Sequence, residues 1–233
     1  MSLSVGMVPQ SLFSLVLFVA VFLAASPTAT FQVTTSYVNT CAVYGGQVKC
    51  WGRNQYGQLG LGDAVDRHEP ALVDLGTDSS GNPFMADTVD CGEWQCCALS
   101  TSQELKCWGW CQAIGCDPIW SDIAGASWTN AVGDETGEVP MLMTSFTDVV
   151  DVTMMIYITC VLENHQGTYE IECVGKDYPG NYWGGDPEYV TIADTPVRLE
   201  SSVMDSWQEV SGLGGGHNTV CAFDSTTVDA VEC

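Results

Sequence analysis

The sequence predicts an all-β protein, and more specifically an incomplete β-propeller with four-stranded blades, of which about four are visible. Cysteine pairs recur four times, and the first cysteines of successive pairs lie 56, 63 and 61 residues apart. Short strand-like runs and turn residues surround each pair, and no 3.6-residue periodicity indicates a helical repeat. Repeats of this length that are rich in short strands are typical of propeller blades.

Residues 1–30 are predicted to be a signal peptide that precedes the fold. Residues 11–25 are almost entirely apolar, which suits a secretory signal but is short for a membrane span of about 20 residues. Small residues near Ala25 offer cleavage sites. The basic residues expected before the apolar run are missing, so an uncleaved signal anchor stays open as the alternative. Only that alternative would bring the protein to a membrane.

The first repeat contains a hairpin whose geometry predicts a disulfide. Two strand-like runs, residues 41–44 and 47–50, flank Gly45 and Gly46. A Gly-Gly pair suits a two-residue turn because both positions tolerate positive φ. In that register Cys41 faces Cys50 at a non-hydrogen-bonded pair, where the Cα atoms approach closely enough for a disulfide.

The later hairpins restate the first one, which predicts one cross-strand disulfide in each repeat. Such a bond closes a loop of about 10–13 residues and contributes roughly 3 kcal/mol in the chain-entropy view. Twelve cysteines also favour an oxidising compartment over the cytosol. The predicted bonds join Cys41 to Cys50, Cys97 to Cys107, Cys160 to Cys173, and Cys221 to Cys233.

Four further cysteines allow three connectivities: Cys91, Cys96, Cys111 and Cys116. Our first choice joins Cys91 to Cys96 and Cys111 to Cys116. A zinc site built from these four is the alternative. The signal segment and the absence of a Cys-x2-Cys pair among them argue against zinc.

The first repeat resembles the signature of the regulator-of-chromosome-condensation repeat family, and its secreted, cysteine-bearing variant most of all. The likeness runs through Thr40-Cys41-Ala42, Cys50-Trp51-Gly52-Arg53-Asn54 and residues 56–63, and it extends over about residues 36–233. The second repeat departs from the pattern after Trp108-Gly109, and the third has Val174 in place of the tryptophan. The signature residues are Trp51, Gly52, Tyr56, Gly57, Gln58, Leu59, Gly60, Gly62, Trp108 and Gly109.

The resemblance implies a propeller of about seven blades that serves as a platform for protein interactions, similar in architecture to the secreted β-lactamase-inhibitory protein II. The visible blades are expected in residues 31–233, centred on 41–63, 97–116, 160–175 and 221–233. Four blades are fewer than seven, so the sequence is interpreted as a truncated propeller, with an open arc of blades as the alternative.

The charge excludes one class of partner. The chain has 29 acidic and 6 basic residues, a net charge of −23, whereas nucleic-acid binding needs clustered Lys and Arg. Members of the family that act on chromatin are therefore no guide to function here.

His68 and His165 are predicted to be solvated and His217 to be structural. No Ser/His/Asp or Cys/His constellation is visible, so the protein is predicted not to be an enzyme.

We expect a secreted or cell-surface module that binds an extracellular protein through its loops, with a carbohydrate-binding module as the alternative. Trp51 and Trp108 are interpreted as packing residues. No cofactor is expected, because the acidic calcium candidates lack the spacing of a calcium loop. Those candidates are Asp63, Asp66 and Glu69, or Asp177 and Asp186. The loop aromatics predicted to contact a partner are Trp110, Tyr178, Tyr182 and Trp183.

Overall fold

The computed structural model describes residues 31–110, 131–156, 158–175, 197–198, 210–216, 219–224 and 231–232. Within these ranges all regular structure is β, arranged as four antiparallel sheets. No helix in the same ranges is long and apolar enough to cross a membrane. The predicted fold class is confirmed: the protein is an all-β propeller that does not close into a ring within the described residues.

Each sheet is one blade whose strands lie in chain order, and the first strands of successive blades contact each other, so the first strand of each blade is called the innermost. Blade 1 contains β1 (Phe31–Thr35), β2 (Asn39–Tyr44), β3 (Gln47–Gly52) and β4 (Arg67–Leu72). Blade 2 contains β5 (Ala86–Cys91), β6 (Gln95–Ser100), β7 (Leu105–Trp110) and β8 (Ala131–Val132), with β9 (Met141–Leu142) also paired to β7. Blade 3 contains β10 (Val149–Met154), β11 (Ile158–His165), β12 (Thr168–Gly175) and β13 (Val197–Arg198). Blade 4 contains β14 (Gly212–Gly215), β15 (Val220–Phe223) and β16 (Val231–Glu232).

The hairpin of blade 1 has the register expected from its turn. Cys41 pairs with Cys50, and Gly45 and Gly46 have φ values of 57° and 82°. Residues 67–70 lie in the stretch between the hairpins of the first two repeats. They form the start of β4, where Arg67 pairs with Gly52.

Disulfides join neighbouring strands within the sheets of blades 1, 2 and 3. The structure contains the bonds Cys41 to Cys50, Cys97 to Cys107, Cys160 to Cys173, and Cys91 to Cys96. Cys221 is also disulfide-bonded. Its predicted partner Cys233 lies outside the described residues, as do Cys111 and Cys116.

Successive blades pack face to face, so each sheet has a leading face towards the blade before it and a trailing face towards the blade after it. Every interface is formed by equivalent cross-strand pairs. The pair on the trailing face contains the residue two positions after the first cysteine of its hairpin. The pair on the leading face contains the residue one position after that cysteine. Between blades 1 and 2, Val43 and Val48 pack on Val89 and Ala98. Between blades 2 and 3, Leu99 and Leu105 pack on Val152 and Val161. Between blades 3 and 4, Leu162 and Ile171 pack on Leu213 and Ala222.

Candidate functional site

The turns that follow the innermost strand of each blade, β1, β5, β10 and β14, line one pocket, which we call the mouth. Each turn is closed by the same backbone hydrogen bond, from the first turn residue to the carbonyl three residues later. The N–H of Ser36 donates to the Asn39 oxygen over 2.9 Å, and the N–H of Gly92 donates to Gln95 over 2.9 Å. The equivalent bonds in blades 3 and 4 begin at Met155 and Gly216. Different sequences therefore adopt one turn geometry around the axis.

These turns enclose a cavity of about 620 Å³. Blade 1 contributes hydroxyl groups, blade 2 a carboxylate, blade 3 apolar side chains and blade 4 bare glycine backbone. Tyr37 is 88% exposed. The mouth is therefore amphipathic, as binding sites on proteins often are. Its lining residues are Thr35, Ser36, Tyr37, Cys91, Gly92, Glu93, Met154, Met155, Ile156, Gly215 and Gly216.

A partly buried carboxylate below the mouth connects three blades. Asp90 of blade 2 accepts a hydrogen bond from the Thr34 hydroxyl of blade 1 over 2.8 Å. Its other oxygen accepts from the Met154 N–H of blade 3 over 3.0 Å and from the Thr153 hydroxyl over 3.3 Å. Burial raises the pKa of Asp90, although these hydrogen bonds to the charged form oppose the shift. Asp90 therefore orients the turns of the mouth relative to one another.

Two further acceptors repeat this connection between neighbouring blades. The Gln32 side-chain oxygen accepts from the Val89 N–H over 2.9 Å, which joins blade 1 to blade 2. Asp151 accepts from the Leu213 N–H over 2.8 Å, which joins blade 3 to blade 4. Burial raises the pKa of Asp151 as well, against the effect of its hydrogen bonds. Polar groups on the inner strands thus fix the angle between blades.

The loop after β3 carries the repeat signature, and it packs against blade 2. The indole N–H of Trp108 donates to the Gln58 carbonyl over 3.0 Å. Gly60 has a φ of 66°, and a Cβ atom there would lie 2.9 Å from the Trp108 ring. Asn54 holds the loop from inside, where its side-chain oxygen accepts from the Leu59 N–H over 2.9 Å. The signature residues are therefore packing residues at one interface between blades.

An aromatic cluster lies where this loop meets the turn of blade 2. The rings of Tyr56 and Trp94 stack edge to face with centroids 5.0 Å apart, and Trp110 lies 6.3 Å from Tyr56. The prediction that Trp110 is a loop residue is wrong. Trp110 ends strand β7 and only 6% of its surface is exposed, because Tyr56 covers it. Trp94, which the sequence analysis did not single out, is half-exposed beside the mouth.

The remaining predicted contact residues, Tyr178, Tyr182 and Trp183, lie outside the described residues. His217 does as well. His68 lies exposed in β4. His165 ends β11, with its ring nitrogens 3.3 Å from carboxylate oxygens of Asp148 and Glu163, so it is hydrogen-bonded to carboxylates rather than freely solvated.

The calcium candidates that fall in the described ranges have other roles. The Asp66 carboxylate accepts from the Asn54 N–H over 2.8 Å, and Asp63 pairs with Arg67. Glu69 lies exposed in β4, and Asp177 and Asp186 are outside the described residues.

One cluster in the described ranges has the spacing of metal ligands: Cys41, Cys91 and Cys96. All three sulfurs are in disulfides, so none is a thiolate ligand.

Residues 45–99 match the Regulator of chromosome condensation (RCC1) repeat. The chain carries an RCC1 repeat. The family resemblance found in the sequence is thereby confirmed, and the disulfides fit its cysteine-bearing variant. The repeat spans β3 to β6 and so includes the loop that packs on Trp108.

Solved structures of RCC1-like propellers share this fold. Human WBSCR16 superimposes with a TM-score of 0.62 at 18% identity, over 85% of this chain and 46% of that one. Prp20p of Saccharomyces cerevisiae, described with its binding properties to Gsp1p and histones, gives 0.57 at 14% identity, over 82% and 42%. The yeast protein bound to Kap60 gives 0.54 at 15% identity, over 87% and 43%. The chain spans less than half the length of these proteins, and the identities establish the fold alone.

Proposed function

We propose that this protein is a secreted or cell-surface module that binds an extracellular protein through the mouth formed by the turns of its four blades. The observation that carries the proposal is the mouth itself. Tyr37 is almost fully exposed on blade 1, opposite the apolar Met155 and Ile156 of blade 3. An exposed tyrosine beside apolar groups is a typical anchor in protein interfaces.

Three other observations support the proposal. The disulfides of the described blades favour an oxidising, extracellular environment. RCC1-like propellers with this fold bind proteins, since Prp20p is described with Gsp1p, histones and Kap60. The net charge of −23 favours a neutral or basic partner surface over an acidic one.

The lining of the mouth offers hydroxyls, one carboxylate and apolar groups. Its described residues include no histidine, which could activate a nucleophile, and no free thiol, which could act as one. We therefore propose a binding role and not a catalytic one. No cofactor is part of the proposal.

Carbohydrate binding is the second candidate, and the aromatic cluster beside the mouth is the observation that favours it. Trp94 and Tyr56 are half-exposed, and aromatic faces commonly stack on sugar rings. Protein binding is preferred because Tyr56 and Trp94 already stack edge to face on each other.

The test is a screen of the full secreted chain against a panel of extracellular protein domains and, in parallel, a glycan array. We expect a protein ligand whose affinity falls about 10- to 30-fold on Tyr37→Ala, the loss typical of a truncated interface tyrosine (roughly 1.4–2 kcal/mol). The matched control is Val65→Ala, which truncates an exposed side chain in the loop before β4 and should leave affinity unchanged. Saturable glycan binding, or protein binding that Tyr37→Ala does not weaken, would overturn the proposal.

A further inference from the structure

Blade 2 contains a disulfide for which the other described blades have no equivalent. Cys91 pairs in register with Cys96, and the bond between them spans the turn that blade 2 contributes to the mouth. This bond is additional to the hairpin disulfide of the same blade, which joins Cys97 to Cys107. The equivalent cross-strand pairs of the other blades contain no cysteine, and they are Thr35–Thr40, Met154–Thr159 and Gly215–Val220.

The additional disulfide faces the hairpin disulfide of blade 1 across the interface between the two blades. Cys41, Cys50, Cys91 and Cys96 all belong to one apolar core. The Sγ atoms of Cys41 and Cys96 are 3.7 Å apart, and those of Cys41, Cys91 and Cys96 all lie within 4.8 Å of one another. A thiolate formed at Cys96 would therefore be in contact with the sulfur of Cys41.

Access to the four cysteines differs. Cys91 lines the mouth and is 7% exposed, whereas Cys41, Cys50 and Cys96 are fully buried. A small thiol that enters the mouth therefore reaches Cys91 first. Glu93 is the carboxylate among the lining residues, so the mouth favours a positively charged aminothiol over an anionic thiol.

We propose that the mouth is a site of thiol–disulfide exchange that takes a small aminothiol. The aminothiol loses its proton, and its thiolate attacks Sγ of Cys91. The Cys91–Cys96 bond breaks, and its electron pair stays on Cys96 as a thiolate. That thiolate attacks Sγ of Cys41, and the Cys41–Cys50 bond breaks. Its electron pair stays on Cys50, which takes up the proton that the aminothiol lost.

The products are a mixed disulfide between the aminothiol and Cys91, a bond from Cys41 to Cys96, and a thiol at Cys50. Each step exchanges one S–S bond for another, so the reaction needs no reagent besides the aminothiol. The new bond joins β2 of blade 1 to β6 of blade 2. Capture of a thiol at the mouth is therefore coupled to a covalent link between two blades.

The surroundings of Cys96 favour the second step. Its Sγ lies 3.5 Å from the carbonyl oxygen of Gln58. The negative end of the carbonyl dipole disfavours the charge of a nearby thiolate. Attack on Cys41 removes that charge from Cys96.

The test treats the full chain, secreted from cells and purified without reductant, with cysteamine and then alkylates the free thiols. Cleavage after Lys49 separates Cys41 from Cys50, and cleavage after Glu93 separates Cys91 from Cys96. Tandem mass spectrometry then locates each modification. We expect cysteamine on Cys91, the alkyl label on Cys50 and a peptide that joins Cys41 to Cys96. Untreated protein should contain only the bonds within blades.

A variant tests the second step without an added thiol. Cys91→Ser leaves Cys96 without its partner, so we expect the alkyl label to shift from Cys96 to Cys50. The matched control is Cys107→Ser, which leaves Cys97 without its partner on the face of blade 2 that packs on blade 3. Met154 and Thr159 take the place of the additional disulfide at that interface, so the label should stay on Cys97.

Two results overturn the proposal. If cysteamine leaves both the Cys91–Cys96 and the Cys41–Cys50 bonds intact, the mouth is not an exchange site. If the label is found on Cys96, in the treated wild type or in Cys91→Ser, the thiolate is not passed to blade 1. Near-UV circular dichroism must match the wild type for each variant, and the treated wild type decides alone if Cys91→Ser does not fold.

Discussion

The interface between blades 1 and 2 and the interface between blades 2 and 3 bury equivalent apolar pairs but fill the space around them differently. In the first, Trp108 is fully buried against the signature loop, and Gly60 leaves room for the indole ring. In the second, Val174 occupies the register of that tryptophan, and Met143 and Phe146 fill the core. Methionine adapts to irregular space, so a blade can pack without the signature tryptophan. The signature is therefore one packing solution, and the paired strands define the fold.

The largest expected effect comes from breaking the first interface. Trp108→Ala removes a fully buried indole from rigid surroundings and should lower the free energy of unfolding by about 3–5 kcal/mol. Val174→Ala at the equivalent position removes much less apolar surface and should cost about 2 kcal/mol. Guanidinium denaturation of the oxidised protein measures both values. Equal losses would contradict the difference between the two interfaces.

A smaller expected effect is the pH dependence of stability, which should have opposite signs for Asp90 of the inner strand β5 and Asp63 of the signature loop. In the folded protein burial raises the pKa of Asp90, so folding favours its protonated form. The stability due to Asp90 therefore falls as pH rises from the ordinary Asp pKa through the raised one. Burial also acts on Asp63 of the signature loop, but hydrogen bonds from Arg67 and the Val65 N–H outweigh it and lower the pKa. Stability due to Asp63 is therefore present above the ordinary Asp pKa and is lost as pH falls.

The corresponding measurement compares melting temperatures of Asp90→Asn and Asp63→Asn with the wild type from pH 7 to pH 3. Relative to Asp90→Asn, the wild type should gain stability as pH falls. Relative to Asp63→Asn, it should lose stability over the same range. If both differences changed in the same direction, either the raised pKa of Asp90 or the lowered pKa of Asp63 would be wrong.

The hairpins could be predicted from the sequence because their determinants are local. The Gly45-Gly46 turn fixes the register of its two strands, and the register places Cys41 opposite Cys50. The connections between blades could not be predicted in this way. Asp90 contacts Thr34 and Met154, which lie 56 and 64 residues away, so those contacts depend on the rotation of one blade against the next.

The error at Trp110 has a related cause. The residues after Trp108-Gly109 depart from the repeat signature, which made residue 110 resemble the start of a loop. In the structure Trp110 extends β7, and Tyr56 from blade 1 covers it. Every residue of β7 is buried, because blades cover both of its faces, and this removes the alternation that identifies a half-exposed strand.

Peptide mapping of the unreduced protein tests most directly whether the disulfides lie within blades. We expect peptides that join Cys41 to Cys50 and Cys91 to Cys96. The Cys41 and Cys96 sulfurs are only 3.7 Å apart across the interface between blades 1 and 2, so an exchanged pairing is sterically accessible. A peptide that joins Cys41 to Cys96 would contradict the account, because the sulfurs would then connect two blades instead of fastening each one.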